Sequence, residues 1–188
     1  MTNPRYAIRP VRPEDVPAVV AMVHELALFE RAPEQCHLTV EQLHAALFAE
    51  RPALFGHVAV ATTATATATA ETAATATAAT TGDRAPGDPF GFALWFLNFS
   101  TWEGVHGIYL EDLYVRPEAR GTGAGRALLA QLAATCVQRG YRRLDWSVLH
   151  WNPARDFYGA IGAAARQDWL FYRIEGHPLQ LLANNARQ

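Results

Sequence analysis

Three glycines at alternate positions, Gly121, Gly123 and Gly125, separate a β-rich run ending at Val115 from an apolar run with helical spacing. The full turn reads Arg120-Gly121-Thr122-Gly123-Ala124-Gly125-Arg126 and leads straight into that helix. Glycines let the backbone approach a ligand closely, and the free N–H groups at a helix start point at an anion. A phosphate or pyrophosphate is therefore expected there, and a plain turn is the alternative. In either case the chain must place a strand, a short linker and a long helix in that order.

The flanking pattern extends this unit into a mixed αβ fold. Tyr6 to Arg9 has the make-up of a short strand, and Asp15 opens a helix in which Val16, Val19, Val20, Val23 and Ala27 keep helical spacing. Thr39-Val40-Glu41-Gln42 resembles a capping box before a second helix carrying Leu43, Ala46 and Leu47. Strands are expected over Leu54–Ala61, Phe90–Phe99 and Ile108–Val115. The helix after the glycines, Gly125 to Arg139, sets Leu128, Leu129, Leu132 and Cys136 on one face. A strand over Leu144–Leu149, a helix over Pro153–Ile161 and a final strand over Trp169–Ile174 complete the order. With 188 residues, half of them hydrophobic, the chain is expected to form a single domain over 1–188.

Between two of these strands lies a segment of another kind. From Ala61 to Thr81 it holds ten Thr, ten Ala and one Glu, and the turn-rich stretch Gly82 to Pro89 follows. Without Leu, Ile or Phe it does not suit a membrane span. It has the character of an inserted loop at about 61–89, although the Thr/Ala alternation could instead extend a hairpin.

Composition narrows the chemistry. All 16 basic residues are Arg, so a Walker-type phosphate loop, a pyridoxal Schiff base and a lysine general base are excluded. A net charge of −2 offers no basic excess for nucleic acid or for a membrane surface. The start lacks a secretory h-region, and Cys36 and Cys136 form no disulfide framework, so a cytoplasmic location is expected. The seven histidines show no ligand spacing, and His24-Glu25-Leu26-Ala27-Leu28 lacks the second histidine of a zinc protease. No metal is expected. Asp145, twenty residues beyond Gly125, would suit the ribose acid of a dinucleotide fold. Against that fold, Arg116 to Arg120 separate the glycines from the strand, and only about 60 residues remain for the rest of a doubly wound sheet.

The pattern Arg120-x-x-Gly123-x-Gly125 matches the acetyl-coenzyme A loop of the GNAT acetyltransferases. With Tyr6 to Pro10, Glu25 to Glu30, Leu110-Glu111-Asp112-Leu113-Tyr114-Val115 and Trp151 to Tyr158, the chain resembles that superfamily nearly throughout, the insert apart. Within it the chain is similar to the spermidine/spermine (diamine) acetyltransferase group. The resemblance implies the GNAT fold, an α+β arrangement with one mixed, mostly antiparallel sheet flanked by helices. It also implies acetyl transfer from acetyl-coenzyme A to a primary amine by direct attack.

Amine acetylation needs a neutral amine, a donor for the oxyanion and a proton for the departing thiolate. The resemblance assigns that proton to Tyr158, which could otherwise be a core aromatic beside Phe157. It makes Glu111 the acceptor of the amine's proton, through water; a solvated strand carboxylate is the alternative. Leu113, Tyr114 and Val115 would hold the pantetheine arm like an added strand. Arg120, Gly121, Thr122, Gly123, Ala124, Gly125, Arg126, Asn152 and Arg155 would complete the coenzyme site. Glu30, Glu111, Asp112 and Asp168 supply acids, and Phe29, Trp102 and Trp169 supply walls, for a cationic substrate groove. Each acid alone could be a surface charge.

Three departures from the family stand out. The interval from Asn152 to Tyr158 is one residue short, Phe29 replaces a tyrosine, and Gln167-Asp168 replaces an acidic pair. They leave room for a specificity away from polyamines. The substrate expected is a small di- or polyamine or a basic amino-acid analogue. Alternatives are a protein N-terminus, an antibiotic amine, or a coenzyme A-binding module without turnover. The resembling group also implies a homodimer.

Overall fold

The computed structural model describes residues 6–62 and 86–187. Two compact units appear, residues 1–147 and residues 148–188. The first holds β1 (Tyr6–Pro10), α1 (Val16–Phe29), α2 (Val40–Phe48), β2 (Phe55–Ala61), β3 (Pro89–Ser100), β4 (Val105–Val115), α3 (Ala124–Gln138) and β5 (Leu144–Trp146). The second holds α4 (Ala154–Ala160) and α5 (Gly176–Asn184).

The five strands form one sheet in the order β1-β2-β3-β4-β5. The first three pairings are antiparallel and the last, β4 with β5, is parallel. This is the mixed, mostly antiparallel sheet that the family resemblance implies. Helices α1 and α2 bury Val16, Val19, Val20, Met22, Leu43 and Leu47 in one cluster with Val58, Val60, Phe92, Leu94 and Tyr114 of the sheet. Helix α3 buries Leu128, Leu129, Leu132 and Cys136 and packs along β4 and β3.

Local chemistry explains several boundaries. Thr39 Oγ1 accepts from the Gln42 N–H at 3.2 Å, and Gln42 Oε1 accepts from the Thr39 N–H at 2.9 Å. The expected capping box at α2 is thus present on both sides. Gly107 is closely packed: a Cβ there would stand 2.5 Å from Asn98 Oδ1 and 2.8 Å from Arg143 Cγ, so those side chains would have to shift. His57 is a core histidine, with its Nδ1 accepting from Trp95 Nε1 at 3.2 Å.

The Thr/Ala insert leaves and rejoins the sheet at the β2–β3 connection. Val60 pairs with Pro89, and the Gly87 N–H donates to the Ala61 carbonyl at 3.1 Å. The hairpin-extension alternative concerns residues outside the described ones.

Two expectations need correction. Trp169–Ile174 is not a strand: its residues are exposed and no strand pairs with them in the described structure. β-propensity without a neighbouring strand and a covered face does not make a strand. The chain then forms a helix, α5, that the strand-ending reading left out; Pro178 sits in its first turn, where a missing N–H costs nothing. The strand expected over Leu144–Leu149 also ends at Trp146, where its pairing with Ile108 to Leu110 of β4 stops.

Candidate functional site

In the first unit, α1 ends on a fixed conformation. The Ala32 N–H reaches back to the Ala27 carbonyl at 3.0 Å and the Arg31 N–H to the Leu28 carbonyl at 3.1 Å. Arg31 adopts φ 62°, the left-handed position usually given to glycine at such an end. A non-glycine residue held there stores of order 1 kcal/mol, a cost found more often at functional sites than elsewhere. The closure holds Phe29 and Glu30, both partly buried, at the end of the helix. Burial raises the Glu30 carboxyl above its usual value.

Strand β4 carries a bulge at Glu111. Leu110 stands opposite Trp95 and Asp112 opposite Leu94, so Glu111 is the extra residue and has no partner on β3. Directly paired residues share a face and successive residues alternate. Asp112 therefore joins Leu94, Phe92 and Tyr114 on the α1 face, while Leu110 faces the other way. Glu111 is exposed and Asp112 partly buried. Burial first, then the nearby Glu111 and Glu30 carboxylates, push the Asp112 carboxyl up to about 6. Three acids thus meet where α1 ends and β4 bulges, a field that suits a cation.

Past the bulge, β4 is open on its outer side. Strand β5 pairs with Ile108, Tyr109 and Leu110 only, so among the described residues no strand covers that edge of Leu113, Tyr114 and Val115. An extended ligand arm can add to such an edge by main-chain hydrogen bonds.

The glycine turn follows. Gly121 has φ 78° and Gly123 φ 88°, and Gly123 is the N-cap of α3 without a side-chain cap. The helix's own bonding starts with the Ala127 N–H on the Gly123 carbonyl, so the N–H groups of Ala124, Gly125 and Arg126 precede the ladder. They sit at the positive end of a 15-residue helix. Thr122 Oγ1 donates to the Ala119 carbonyl at 2.8 Å and Arg120 Nε to the Val115 carbonyl at 3.0 Å, which fixes the turn. The Arg120 guanidinium lies over two rings, 5.4 Å from the Phe29 centroid and 5.7 Å from that of Tyr114.

The first unit therefore brings Phe29, Glu30, Glu111, Asp112, Leu113, Tyr114, Val115 and Arg120 to Arg126 to neighbouring positions. Trp102 is not among them: it is 90% exposed in the β3–β4 turn. Six residue steps of strand, about 20 Å, separate Val105 from Glu111.

In the second unit, Asn152 Oδ1 accepts from the Ala154 N–H at 2.9 Å and so starts α4. An Arg155 guanidinium N–H donates to the His150 carbonyl at 2.6 Å. Tyr158 is partly buried, its ring 5.4 Å from that of Phe157. Asp168 and Trp169 lie on the exposed stretch after α4.

Some supporting residues were not singled out by the sequence. Arg116 holds Glu25 through Nε and Nη2 at 3.1–3.3 Å, tying β4 to α1. Burial, and then the Glu25 carboxylate, raise the Tyr114 phenol. The Tyr6 hydroxyl would stand 3.3 Å from a Cβ at Gly123. These contacts join segments distant along the chain, and no local pattern announces them.

The acetyltransferase (GNAT) family model matches residues 40–163. A thialysine N-epsilon-acetyltransferase of Bos taurus is 32% identical over 185 residues, covering 94% of this chain and 96% of that protein. An L-ornithine N5-acetyltransferase of Arabidopsis thaliana is 30% identical over 93% of this chain and 86% of its own. Among solved structures, an integron cassette protein from the mobile metagenome of V. cholerae superposes with a TM-score of 0.70 at 25% identity. That match covers 95% of this chain and 98% of the other.

Proposed function

The chain belongs to the acetyltransferase (GNAT) family, and on that premise we propose that it moves the acetyl group of acetyl-coenzyme A to a terminal primary amine of a small basic substrate. The single observation that carries the reading is the pairing of two opposite fields on one short segment. The uncapped start of α3 suits an anion, and the Glu30, Glu111 and Asp112 group suits a cation.

The residues fit acetyl-coenzyme A. The open edge of Leu113, Tyr114 and Val115 suits its extended arm. Gly121, Thr122, Gly123, Ala124, Gly125 and Arg126 suit its pyrophosphate, with Arg120 as the adjacent cation. When bound, the coenzyme supplies a thioester acyl donor. Glu111 takes the proton of the incoming ammonium through water, which leaves a nucleophilic amine. Asp112 and Glu30 hold the cationic substrate in place. Tyr158 gives its phenolic proton to the departing sulfur, and Asn152 and Arg155 serve the coenzyme. The names of the relatives, acting on thialysine and L-ornithine, support a basic amino-acid analogue over a polyamine.

We treat residues 1–188 as one acetyltransferase domain carrying the insert, a reading supported by the family match running past Ser147 into the second unit. A second copy of the chain is the partner we propose. Trp169, Leu170, Phe171 and Tyr172 are 67–84% exposed, a run of four large side chains that a contact between copies would cover. Sedimentation would read a dimer if this holds and a monomer if it does not. Two free cysteines agree with a cytoplasmic location. Among the described residues no helix is long and apolar enough to cross a membrane.

The test is thiol release from acetyl-coenzyme A over a panel of amines: thialysine, ornithine, lysine, putrescine and spermidine. Turnover with an amino acid bearing a terminal amine is expected. Coenzyme binding without thiol release on any amine would instead leave a non-catalytic module.

A further inference from the structure

Arg120 opens the glycine turn, yet its guanidinium rests on the ring of Phe29, the last residue of α1. The second ring, Tyr114, belongs to β4, and the Val115 carbonyl fixes the Nε end of the same side chain. A cation over an aromatic face is attracted by the ring's quadrupole, and a planar guanidinium stacks where an ammonium cannot. The C-terminal end of α1 adds negative potential at the same place. A side chain of the anion-binding turn is thus carried by a residue that sequence reasoning would give to the amine.

We propose that Phe29 is a positioning residue for the coenzyme: with Tyr114 it presents the Arg120 guanidinium to the pyrophosphate, and it is not a wall of the amine site. The proposal rests on the reading that the glycine turn binds coenzyme A. It uses only the face of the ring, so a phenylalanine at this position suffices and a hydroxyl adds nothing.

Calorimetric titration of the full chain with free coenzyme A, with no amine present, tests it. Phe29→Leu should weaken binding about threefold to tenfold, and Phe29→Tyr, which restores the ring face, should bind like the wild type. In an Arg120→Gln background Phe29→Leu should cost nothing more, because the cation it served is gone. In steady-state kinetics the KM for acetyl-coenzyme A should rise while the KM for the amine stays. Unchanged coenzyme affinity with a raised amine KM would make Phe29 an acceptor wall. Additive losses in the double variant would make it a packing residue, and either result overturns the proposal. If Phe29→Leu does not fold, Arg120→Lys tests the same stack from an exposed side chain. It keeps the charge and loses the plane, so wild-type affinity there would also refute the idea. Wild-type protein that binds no coenzyme A would remove the acetyltransferase reading itself, a result distinct from a Phe29 variant that binds normally.

Discussion

Leu110 and Asp112 point to opposite faces of the sheet although a single residue separates them. In an unbroken strand they would share a face. The extra residue, Glu111, turns the register at this point. It sends Leu110 into the α3 side and Asp112 toward Glu30 at the end of α1. The same irregularity coincides with the last residue that β5 pairs, so the open edge of β4 begins where the acids gather. The cluster of acids and the unpaired edge of β4 both begin at this one inserted residue.

Asp112 should make stability depend on pH. Its carboxyl is raised from 3.8 to about 6 by burial and by Glu111 and Glu30. A raised acid contributes fully below its unfolded value, and the contribution is lost as pH rises through the folded value. Between about pH 4 and 6 the wild type should lose stability relative to Asp112→Asn, whose amide does not ionise. At pH 8 the variant should be more stable by of order 1–2 kcal/mol, after allowance for partial exposure. It should also bind the amine more weakly. Urea unfolding of both proteins from pH 4 to 8 decides this, and parallel curves would contradict it.

The glycines of the turn should separate into two kinds. Gly123 has φ 88° and a Cβ there would approach the Tyr6 hydroxyl to 3.3 Å, so Gly123→Ala should destabilise by about 1–2 kcal/mol. Gly125 lies in the first turn of α3, where a Cβ would meet only Val115 Cγ2 at 3.8 Å. Gly125→Ala should leave stability equal or raise it by up to about 1 kcal/mol. Both should weaken coenzyme A, because the second places a methyl group where the phosphates approach. Thermal unfolding beside calorimetric titration distinguishes them: full affinity in Gly125→Ala would show that no ligand approaches that backbone.

Local chemistry was legible in the sequence, and long-range chemistry was not. The Thr39/Gln42 box and the apolar face of α3 depend on residues within a few positions of one another. The bulge at Glu111 is invisible because nothing in Leu-Glu-Asp-Leu marks which residue will lack a partner on the neighbouring strand. The rings under Arg120, the Glu25–Arg116 ion pair and the Tyr6–Gly123 approach join positions 6 to 123, and only the folded sheet brings them together. Trp169–Ile174 failed in the other direction. Its β-formers gave a strand pattern, but a strand is made by its partner, and no strand among the described residues pairs with it.

Removing the Thr/Ala tract should cost nothing in fold or turnover. The hairpin that carries it is closed on the sheet side by the Gly87–Ala61 hydrogen bond and the Val60–Pro89 pair. Deleting residues 63–81 shortens the connection from roughly 27 residues to roughly 8. This lowers the closure cost by about 1 kcal/mol if the loop is a flexible chain. The melting temperature should hold or rise slightly, with unchanged kcat. A large fall in melting temperature would show that the tract packs on the domain.

Tyr158→Phe tests the chemistry most directly. The ring and its contact with Phe157 remain, so stability should change little, while the proton assigned to the leaving sulfur disappears. General acid catalysis contributes about 10²–10⁴-fold, and turnover should fall within that range with near-normal acetyl-coenzyme A affinity. The loss will lie toward the low end if the thiolate, with a thiol pKa of about 8.5, departs readily by itself. Glu111→Gln should fail differently. Its turnover should recover in part as pH rises, because more amine then arrives already neutral, whereas raising pH gives Tyr158→Phe no substitute acid. The comparison needs pH–rate profiles under conditions where chemistry limits turnover. Wild-type turnover in Tyr158→Phe under those conditions would reduce Tyr158 to a packing residue and leave the sulfur to depart without a proton from the protein.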